Sequence, residues 1–370
     1  MKNLGLIVNP IAGVGGRVGL KGSDGEASTR AFELGAPAVS PQRTIDALHQ
    51  LLPLKHELVL VTYPGEMGTN EAKIVGFQPH TIGSLTTGRT TASDTRRAAK
   101  EMLRSRVDLL LFAGGDGTAR DICESVDESL PVVGIPAGVK MHSAVFATTP
   151  TKAGQLAQSY LNHETALRSM EVVDFATELP NRDRELKLFG YLKVPYERNA
   201  IQGMKTAGSS EDGEEGIAYE VIDSVIDVFD NDYIIFGPGK TAKAALVALE
   251  LDHTILGVDV LHRKRILVKD ANEKQLLELS AKGRTRIIVG VIGGQGFLFG
   301  RGNQQISPQV INQAGIENIT IVATKSKIIG LGGRPILVDS GDKDLDKQLT
   351  RYFKITTGYG KSLVYQVSQG

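Results

Sequence analysis

The sequence predicts an α/β protein, with a doubly wound parallel sheet in its N-terminal part and a second α/β or α+β domain after it. Apolar strand patterns alternate with helical patterns, several strand candidates are apolar on both faces, and glycine-rich stretches follow the strands. Strands that alternate with helices form βαβ units, and strands buried on both faces belong in the middle of a parallel sheet. The N-terminal sheet is therefore expected to be Rossmann-like.

The first half supplies the elements of this sheet in order. Ser40 and Pro41 are typical of a helix start, and Ala98 and Met102 share one face of a later helix. The run VDLLLFA is apolar almost throughout, which suits a central strand. We expect strands over 4–8, 56–64, 107–113 and 131–136, helices over 40–52, 91–106 and 119–126, and a further helix after HSAVFA (142–147).

A second domain follows an irregular connection. The 370 residues are enough for two or three domains, and we place the N-terminal domain at 1–165 and the C-terminal domain at 166–370. The connection covers about 166–232 and carries an acidic loop that we expect to be mobile at 209–216. After it we expect helices over 241–251, 271–282 and 307–314, with strands in DYIIFGPGK, TILGVDVL, RTRIIVGVIGGQG, NITIVAT and near 362–367.

Composition excludes several classes of function. Lys plus Arg equals Asp plus Glu at 42 each, whereas a general binder of nucleic acid or of an anionic membrane needs a strongly basic face. The single cysteine, Cys123, allows no intramolecular disulfide, and we expect it to pack in the core. The seven histidines lack metal-binding spacing and are expected to be structural or exposed. With no signal-peptide pattern and no membrane-spanning run, we expect a cytoplasmic enzyme.

The stretch FAGGDGTARDI (112–122) carries the predicted chemistry. A strand that turns through Gly114, Gly115 and Gly117 into a helix presents backbone N–H groups at the helix start, which is an anion site. Asp116 would repel a phosphate there, so its presence fits a group that deprotonates a hydroxyl, binds a metal, or does both. Alternatively, Asp116 and Thr118 only cap the helix, which contributes ~1 kcal/mol.

The loops after other strands are expected to join this one. Ligands of open α/β sheets lie beyond the carboxyl ends of the strands, and IVNPIAGVGG and GIPAGVK each follow a strand at that end. The three glycine-rich stretches are therefore expected to converge on one crevice.

GGDGT resembles the signature of the superfamily that holds NAD kinases, diacylglycerol kinases and sphingosine kinases. The chain is more similar to the NAD kinase branch, and within it to the AcoX-type group of ATP- or polyphosphate-dependent NAD kinases. VNPIAG (8–13) resembles the opening Asn-Pro-x-x-Gly element, and GIPAGVKM (134–141) takes the place of the second glycine-rich loop. FGPGKTAKAALVALE (236–250) resembles the Gly-Ser-Thr-Ala-Tyr element, with Lys240 in place of Ser and Lys243 in place of Tyr.

The resemblance implies a kinase that phosphorylates the 2′-hydroxyl of NAD(H). Asp116 would be the base, Mg²⁺ would bridge the donor phosphates, and ATP or polyphosphate would be the donor. NAD kinases also generally assemble as homo-oligomers. Lys140, Lys240 and Arg301 are candidates to neutralise donor charge. The residues expected to bind the nucleotide and its phosphates are Asn9, Gly13, Gly114, Gly115, Gly117, Thr118, Gly138, Lys140, Gly239, Lys240 and Thr241.

The chain also departs from the NAD kinase pattern. The Asn-Glu pair that holds the adenine end of the dinucleotide is missing after Asp116, and YEVID (219–223) is the substitute we consider. Two alternatives therefore stay open: a kinase of the same superfamily that acts on another hydroxyl acceptor, and a nucleotide-binding regulatory protein without turnover. A lipid acceptor is disfavoured because the sequence has no amphipathic membrane segment.

Overall fold

The computed structural model describes residues 1–20, 26–85, 90–139, 141–175, 186–197, 200–201, 211–292 and 295–370. The chain divides into two compact units, and their ranges are Met1–Val14 with Gly22–Met204 (unit 1) and Gly15–Lys21 with Lys205–Gly370 (unit 2). The boundary expected near residue 165 remains a prediction. Within the described residues, every helix is too short or too polar to cross a membrane.

Unit 1 contains a parallel sheet with helices, and the predicted fold class is confirmed. Its strands in the described residues are β1 (Lys2–Val8), β2 (Leu58–Thr62), β3 (His80–Thr81), β4 (Leu109–Gly114), β5 (Val132–Pro136), β6 (Leu167–Phe175) and β7 (Leu186–Pro195). Its helices there are α1 (Glu26–Glu33), α2 (Ser40–His49), α3 (Thr69–Val75), α4 (Ala92–Arg104), α5 (Asp116–Val126) and α6 (Pro150–Leu161). Short 3₁₀ turns lie at Leu52–Leu54, Gly65–Met67 and Asp127–Ser129.

The strand order in this sheet explains where a site can form. The described strands run β3-β2-β1-β4-β5, and all their pairings are parallel. The order reverses between β1 and β4, which is the switch point where open α/β sheets bind ligands. All six residues of β4 are buried because it lies inside the sheet with helices on both faces.

A long hairpin that the sequence did not predict completes unit 1. Strands β6 and β7 pair antiparallel as a separate two-stranded sheet, with a register shift between Val172 and Val173. The hairpin packs on α5 through an ion pair between Arg120 Nη1 and Asp174 Oδ2 at 3.1 Å. Both strands are exposed over their first residues and buried at only a few later positions, so their sequences lack a regular alternation of apolar and polar residues.

Unit 2 is a second α/β unit. Its helices in the described residues are α7 (Glu211–Val221), α8 (Lys240–Ala248), α9 (Glu273–Ser280), α10 (Pro308–Ala314), α11 (Lys325–Gly330) and α12 (Lys343–Leu349). Its strands there are β8 (Tyr233–Phe236), β9 (Asp259–His262), β10 (Arg265–Val268), β11 (Thr285–Gly290), β12 (Phe297–Phe299), β13 (Ile319–Val322), β14 (Ile336–Val338), β15 (Tyr352–Gly358) and β16 (Lys361–Gln369). A π-helical turn continues α7 over Ile222–Ile226, and a 3₁₀ turn lies at Ile316–Asn318.

The sheet of unit 2 is mixed and covered on both faces. Its described strands run β10-β9-β8-β11-β13-β15-β16-β14-β12, with β8, β11, β13 and β15 parallel to one another. Ile287 and Val289 point into one apolar cluster, with α9 and α10, whereas Ile288 points into another, with α7 and α8. Strands buried on both faces produce the continuous apolar runs seen in the sequence.

The acidic segment near residue 211 is helical where the structure describes it. We expected a mobile loop over 209–216, but 211–216 form the first half of α7, and 209–210 lie outside the described residues. Ile217 and Val221 anchor the helix in the core, and Gly216 lets it approach the backbone of Tyr359. Apolar burial in the second half of the helix therefore outweighs the loop-like composition of the first half.

Glu71 is a buried carboxylate in the first turn of α3. Glu71 is 3% exposed, and its Oε2 atom has no hydrogen-bond partner in the described part of the chain. Burial raises the pKa of this carboxyl from 4.5 to about 7, while hydrogen bonds from the backbone of Glu71 and Gly68 act in the opposite direction. The side chain therefore gives up a proton near neutral pH, and burial makes its charged form costly.

Replacing Glu71 with Gln is expected to stabilise the protein at high pH only. Because the folded-state pKa lies above the unfolded value, the folded state binds more protons between about pH 4.5 and 7, and wild-type stability falls as the pH rises through this window. Urea unfolding should show Glu71→Gln to be more stable at pH 8, by at most about 3 kcal/mol, with no gain at pH 4.

The exposed neighbour Glu66 provides the control for this measurement. Glu66→Gln removes an exposed carboxylate whose charge also raises the pKa of Glu71, so its gain at pH 8 should be much smaller than that of Glu71→Gln, and its effect at pH 4 should stay within about 0.5 kcal/mol. An equal gain for Glu71→Gln at pH 4 and pH 8 would contradict the assignment of the cost to a buried charge.

Candidate functional site

Three glycine-rich loops of unit 1 meet at the carboxyl edge of its sheet. Residues 9–14 follow β1, residue 115 joins β4 to α5, and residues 137–139 follow β5. Because β1, β4 and β5 are adjacent parallel strands, their carboxyl ends lie side by side at the switch point. The expected convergence of these loops is therefore what the geometry shows.

The loops approach each other so closely that only glycine fits at the contacts. A Cβ atom on Gly138 would lie 2.8 Å from the Cα of Gly115. A Cβ on Gly13, whose φ is +80°, would lie 2.1 Å from the carbonyl oxygen of Ala137. The amides of Ala137 and Gly138 both donate to the carbonyl of Gly114, at 2.9 and 3.0 Å. The glycines thus serve loop-to-loop packing as well as the open backbone that a ligand would need.

Asn9 and Thr118 connect the first two loops. The Nδ2 of Asn9 donates to Thr118 Oγ1 at 3.0 Å, its Oδ1 accepts from the amide of Ile11, and its own amide donates to the carbonyl of Ala113. Both side chains were predicted to bind a nucleotide, and their hydrogen bonds order the backbone of the first two loops.

Asp116 is held by the third loop. It is the first residue of α5 and is 7% exposed. Its Oδ1 accepts from the amide of Ser143 at 2.9 Å, and its Oδ2 accepts from the amide of His142 at 2.7 Å. The imidazole Nδ1 of His142 lies 3.1 Å from the same Oδ2.

The capping interpretation of the GGDGT loop is wrong for the described residues. The residue at the N-cap of α5 is Gly115, which makes no side-chain cap. The carboxylate of Asp116 contacts residues 142 and 143, and the hydroxyl of Thr118 contacts Asn9. Both polar side chains therefore point away from the amides of their own helix, which leaves that helix start to other partners.

The surface of this site is made by glycine backbone. Gly115, Gly117 and Gly138 are half-exposed, whereas Gly114, Asp116 and Thr118 are buried. A helix start with exposed glycines can accept a phosphate, and a carboxylate just beneath it can accept a proton. The arrangement therefore brings half-exposed glycine backbone and a buried carboxylate together.

His142 is the site residue that sequence reasoning missed. Its ring packs edge-on against Phe175, with ring centroids 5.1 Å apart, and the hydroxyl of Ser143 donates to the carbonyl of Val173 at 2.8 Å. We expected the histidines to be structural or exposed because no pairwise spacing marked them. Its position in the loop after β5, at the same sheet edge as GGDGT, is the signal that could have marked it.

The other predicted residues lie in unit 2 or outside the described part. Lys240 is exposed at the start of α8, next to Gly239, whose φ is +105° and whose amide donates to the carbonyl of Ile255 at 2.8 Å. Thr241 is buried; its hydroxyl donates to Glu214 Oε1 at 2.9 Å and accepts from Lys327 Nζ at 2.6 Å. Lys140 lies outside the described residues.

Lys243, in place of the family's Tyr, forms a buried ion pair. Its Nζ lies 2.6 Å from Asp259 Oδ2 and donates to the carbonyl of Phe236 at 3.1 Å. Burial lowers the pKa of Lys243 to about 8, although Asp259 opposes this effect. Asp259 also accepts from the amides of Thr254 and Asp270, and with Lys243 these bonds hold its pKa below the usual value despite burial. The pair stabilises the turn before α8, because Lys243 also bonds the carbonyl of Phe236 where that turn begins.

Contacts inside their own unit involve three further features that the sequence singled out: Arg301, the segment YEVID and Cys123. Arg301 is buried, with Nη1 2.9 Å from Asp339 Oδ2, and its role in neutralising donor charge stays a prediction. In YEVID, Glu220 Oε2 accepts from the amide of Gly360 and Asp223 Oδ2 accepts from the hydroxyl of Tyr359. Cys123 is buried, and burial raises the pKa of its thiol, which fits the predicted packing role.

The described residues contain no group of three or more His, Cys, Asp or Glu side chains that could hold a metal ion. Mg²⁺ commonly takes most of its ligands from substrate phosphates and water, with one or two carboxylates.

The site thus places glycine-rich loops and a buried carboxylate together at the switch point of a parallel sheet. Residues 4–165 match the ATP-NAD kinase N-terminal domain, and residues 229–367 match the ATP-NAD kinase C-terminal domain. The chain belongs to the ATP-NAD kinase family.

The solved structures to which the chain is similar are distant. Two are structures of a candidate diacylglycerol kinase from Bacillus anthracis str. Sterne, at 15% and 17% identity and TM-scores of 0.26 and 0.24. Each alignment covers 47% of this chain, and the chain spans 45% and 42% of those chains. A third is MnaA of S. aureus with UDP, at 11% identity and a TM-score of 0.25, covering 88% of this chain and 80% of that one. No curated protein matches the chain.

Gly138→Ala is expected to disrupt the site because its new Cβ would lie 2.8 Å from Gly115 Cα, and backbone on both sides must move. The melting temperature should fall by several degrees, and NAD binding measured by calorimetry should weaken at least about tenfold. Gly330→Ala is the matched control, since its Cβ would have open space and its φ is ordinary. Unchanged NAD affinity in a folded Gly138→Ala protein would contradict the importance of this contact.

Proposed function

We propose that the protein transfers a phosphoryl group from ATP or polyphosphate to the 2′-hydroxyl of NAD(H), making NADP(H). The observation that carries the proposal is the position of Asp116, a carboxylate fixed beneath half-exposed glycines at the switch point of the sheet. Family membership supports the reaction class, and the carboxylate next to half-exposed glycine backbone supports our assignment of a base beside an anion site.

In the proposed reaction, Asp116 accepts the proton of the acceptor hydroxyl as that oxygen forms a bond to the terminal phosphorus of the donor. The bond between this phosphorus and the bridging oxygen breaks, and ADP, or polyphosphate shortened by one unit, leaves. Phosphoryl transfer depends mainly on positioning and charge neutralisation, so a fixed base and fixed amides are what the protein has to provide. Mg²⁺, when bound, neutralises charge on the donor phosphates.

We assign the phosphate contacts to the glycine-rich loops and to the start of α8. The residues proposed to bind nucleotide or phosphate are Asn9, Gly13, Gly114, Gly115, Gly117, Thr118, Gly138 and Lys140, together with Gly239, Lys240 and Thr241. Of the last three, Lys240 is best suited, because an exposed cation at an uncapped helix start is stabilised by an anion there. We also infer, from the family alone, a cytoplasmic homo-oligomeric enzyme.

Asp116→Asn should abolish most of the activity without unfolding the protein. The amide keeps the size of the side chain but cannot accept the hydroxyl proton, so kcat for NADP formation from NAD, ATP and Mg²⁺ should fall by roughly 10²–10⁴. A coupled assay specific for NADPH measures this directly, with polyphosphate as a second donor.

The control is Asp121→Asn on the same helix. Asp121 is also buried, but it pairs with Arg96 at 2.7 Å, away from the loop, so its loss should lower stability and leave kcat within about threefold. A fall in melting temperature for Asp116→Asn with full turnover would refute Asp116 as the base.

The acceptor is tested separately from the reaction class. Wild-type protein is incubated with labelled ATP and a panel of NAD, NADH, nucleosides, polyols and diacylglycerol. We expect label on NAD or NADH at the 2′ position. Label only on another acceptor would keep the kinase and change its substrate, whereas calorimetric binding of NAD and ATP with no labelled product would favour a regulatory protein.

A further inference from the structure

The two oxygens of the Asp116 carboxylate are not equivalent. Oδ2 accepts from the amide of His142 at 2.7 Å and lies 3.1 Å from the Nδ1 of the same residue. Oδ1 accepts only from the amide of Ser143, at 2.9 Å, among the described residues. Since each carboxylate oxygen has room for about two donors, Oδ2 is saturated and Oδ1 has capacity left.

The contact from the imidazole fixes its tautomer. An ionised carboxylate only accepts hydrogen bonds, so the Nδ1 of His142 has to carry the proton. The ring is held in this orientation by its edge contact with Phe175, and its side chain is 9% exposed. The neighbouring Ser143 is tied to β6 through Val173, so the whole turn is anchored to the hairpin.

We propose that His142 is a positioning residue that directs the acceptor proton to Oδ1 of Asp116. By donating from Nδ1 to Oδ2, it occupies the second acceptor position of that oxygen and fixes the rotation of the carboxylate about its Cβ–Cγ bond. The oxygen with remaining capacity then faces the hydroxyl. This inference rests on the proposed function of Asp116 as the base and adds a residue through which it acts.

The role belongs to the side chain of His142 and is separable from that of its backbone. The amides of His142 and Ser143 stay in place in any variant of residue 142 that keeps the turn, so side-chain substitutions remove one bond of three. Asn is the informative replacement, because its amide nitrogen lies two bonds from Cβ, as Nδ1 does. In Gln the amide nitrogen lies one bond further, at the place of Nε2.

The kinetic test compares His142→Ala, His142→Asn and His142→Gln by steady-state assay. His142→Ala should lower kcat by roughly 10–100-fold with the KM for NAD and ATP within about threefold, because the base is misplaced while the nucleotide loops are intact. His142→Asn should restore kcat to within about fivefold of wild type, and His142→Gln should resemble His142→Ala. His262→Ala, in unit 2, is the control for loss of an imidazole that stacks on a ring, here Tyr233.

Two kinetic outcomes would overturn the proposal. Wild-type kcat in a folded His142→Ala protein would show that the contact does not matter. Loss of activity in His142→Asn as large as in His142→Ala would show that the Nδ1 contact is not what His142 contributes, and would point to the ring itself as the proton acceptor. Melting temperatures identify variants that lose activity through unfolding, and His142→Asn keeps the comparison available if His142→Ala does not fold.

A readout that needs no turnover separates this inference from the proposed function. In ¹⁵N-histidine-labelled protein, long-range ¹H–¹⁵N correlation should show the ring of His142 protonated at Nδ1, assigned by its absence in His142→Asn. Asp116→Asn should change that signal. An Nε2–H tautomer in the wild type would refute the positioning role, whereas absence of NADP formation beside an Nδ1–H tautomer would refute only the proposed function.

Discussion

The hydrogen bonds between the carboxylate of Asp116 and the turn at His142 and Ser143 are the interaction on which the site of unit 1 depends. They place a charged group under a surface of bare backbone, and they join the loop after β4 to the loop after β5. The glycine contacts at Gly115 and Gly138 let the loops come close enough for these bonds to form. A larger residue at either glycine would separate the carboxylate from the amides that hold it.

The same constraint explains why the surrounding elements are built as they are. Asn9 fixes the first loop to Thr118, and Ser143 fixes the third loop to β6, so each flank of the carboxylate is attached to a strand. The hairpin of β6 and β7 is in turn held to α5 by Arg120 and Asp174. Unit 2 uses another device: the buried pair of Lys243 and Asp259 secures the turn that presents Lys240. In both units, a buried carboxylate supports a glycine-rich turn.

Much of this fold was predictable from the sequence, because the strands of unit 1 are short apolar runs and GGDGT is specific. The predicted central strand over 107–113 became β4, and the helix after it begins at Asp116. Three features were not predictable. The β6–β7 hairpin shows no regular alternation of apolar and polar residues, since only part of each strand is buried. The composition of residues 211–216 predicts a loop, but these residues are helical because Ile217 and Val221 anchor the same helix in the core. His142 carries no spacing signal, since its contact with Asp116 is made across 26 residues by tertiary structure.

The central claim is that Asp116, held by this turn, faces the hydroxyl that is phosphorylated. A crystal structure of the protein with bound NADP tests it most directly, because the product marks the position of the transferred group. We predict that the ribose 2′-oxygen lies within hydrogen-bond distance of Asp116 Oδ1, with the amides of His142 and Ser143 still on the carboxylate and phosphates of the nucleotide against the glycine loops. A nucleotide bound elsewhere, or one whose 2′-phosphate points away from Asp116, would contradict the account.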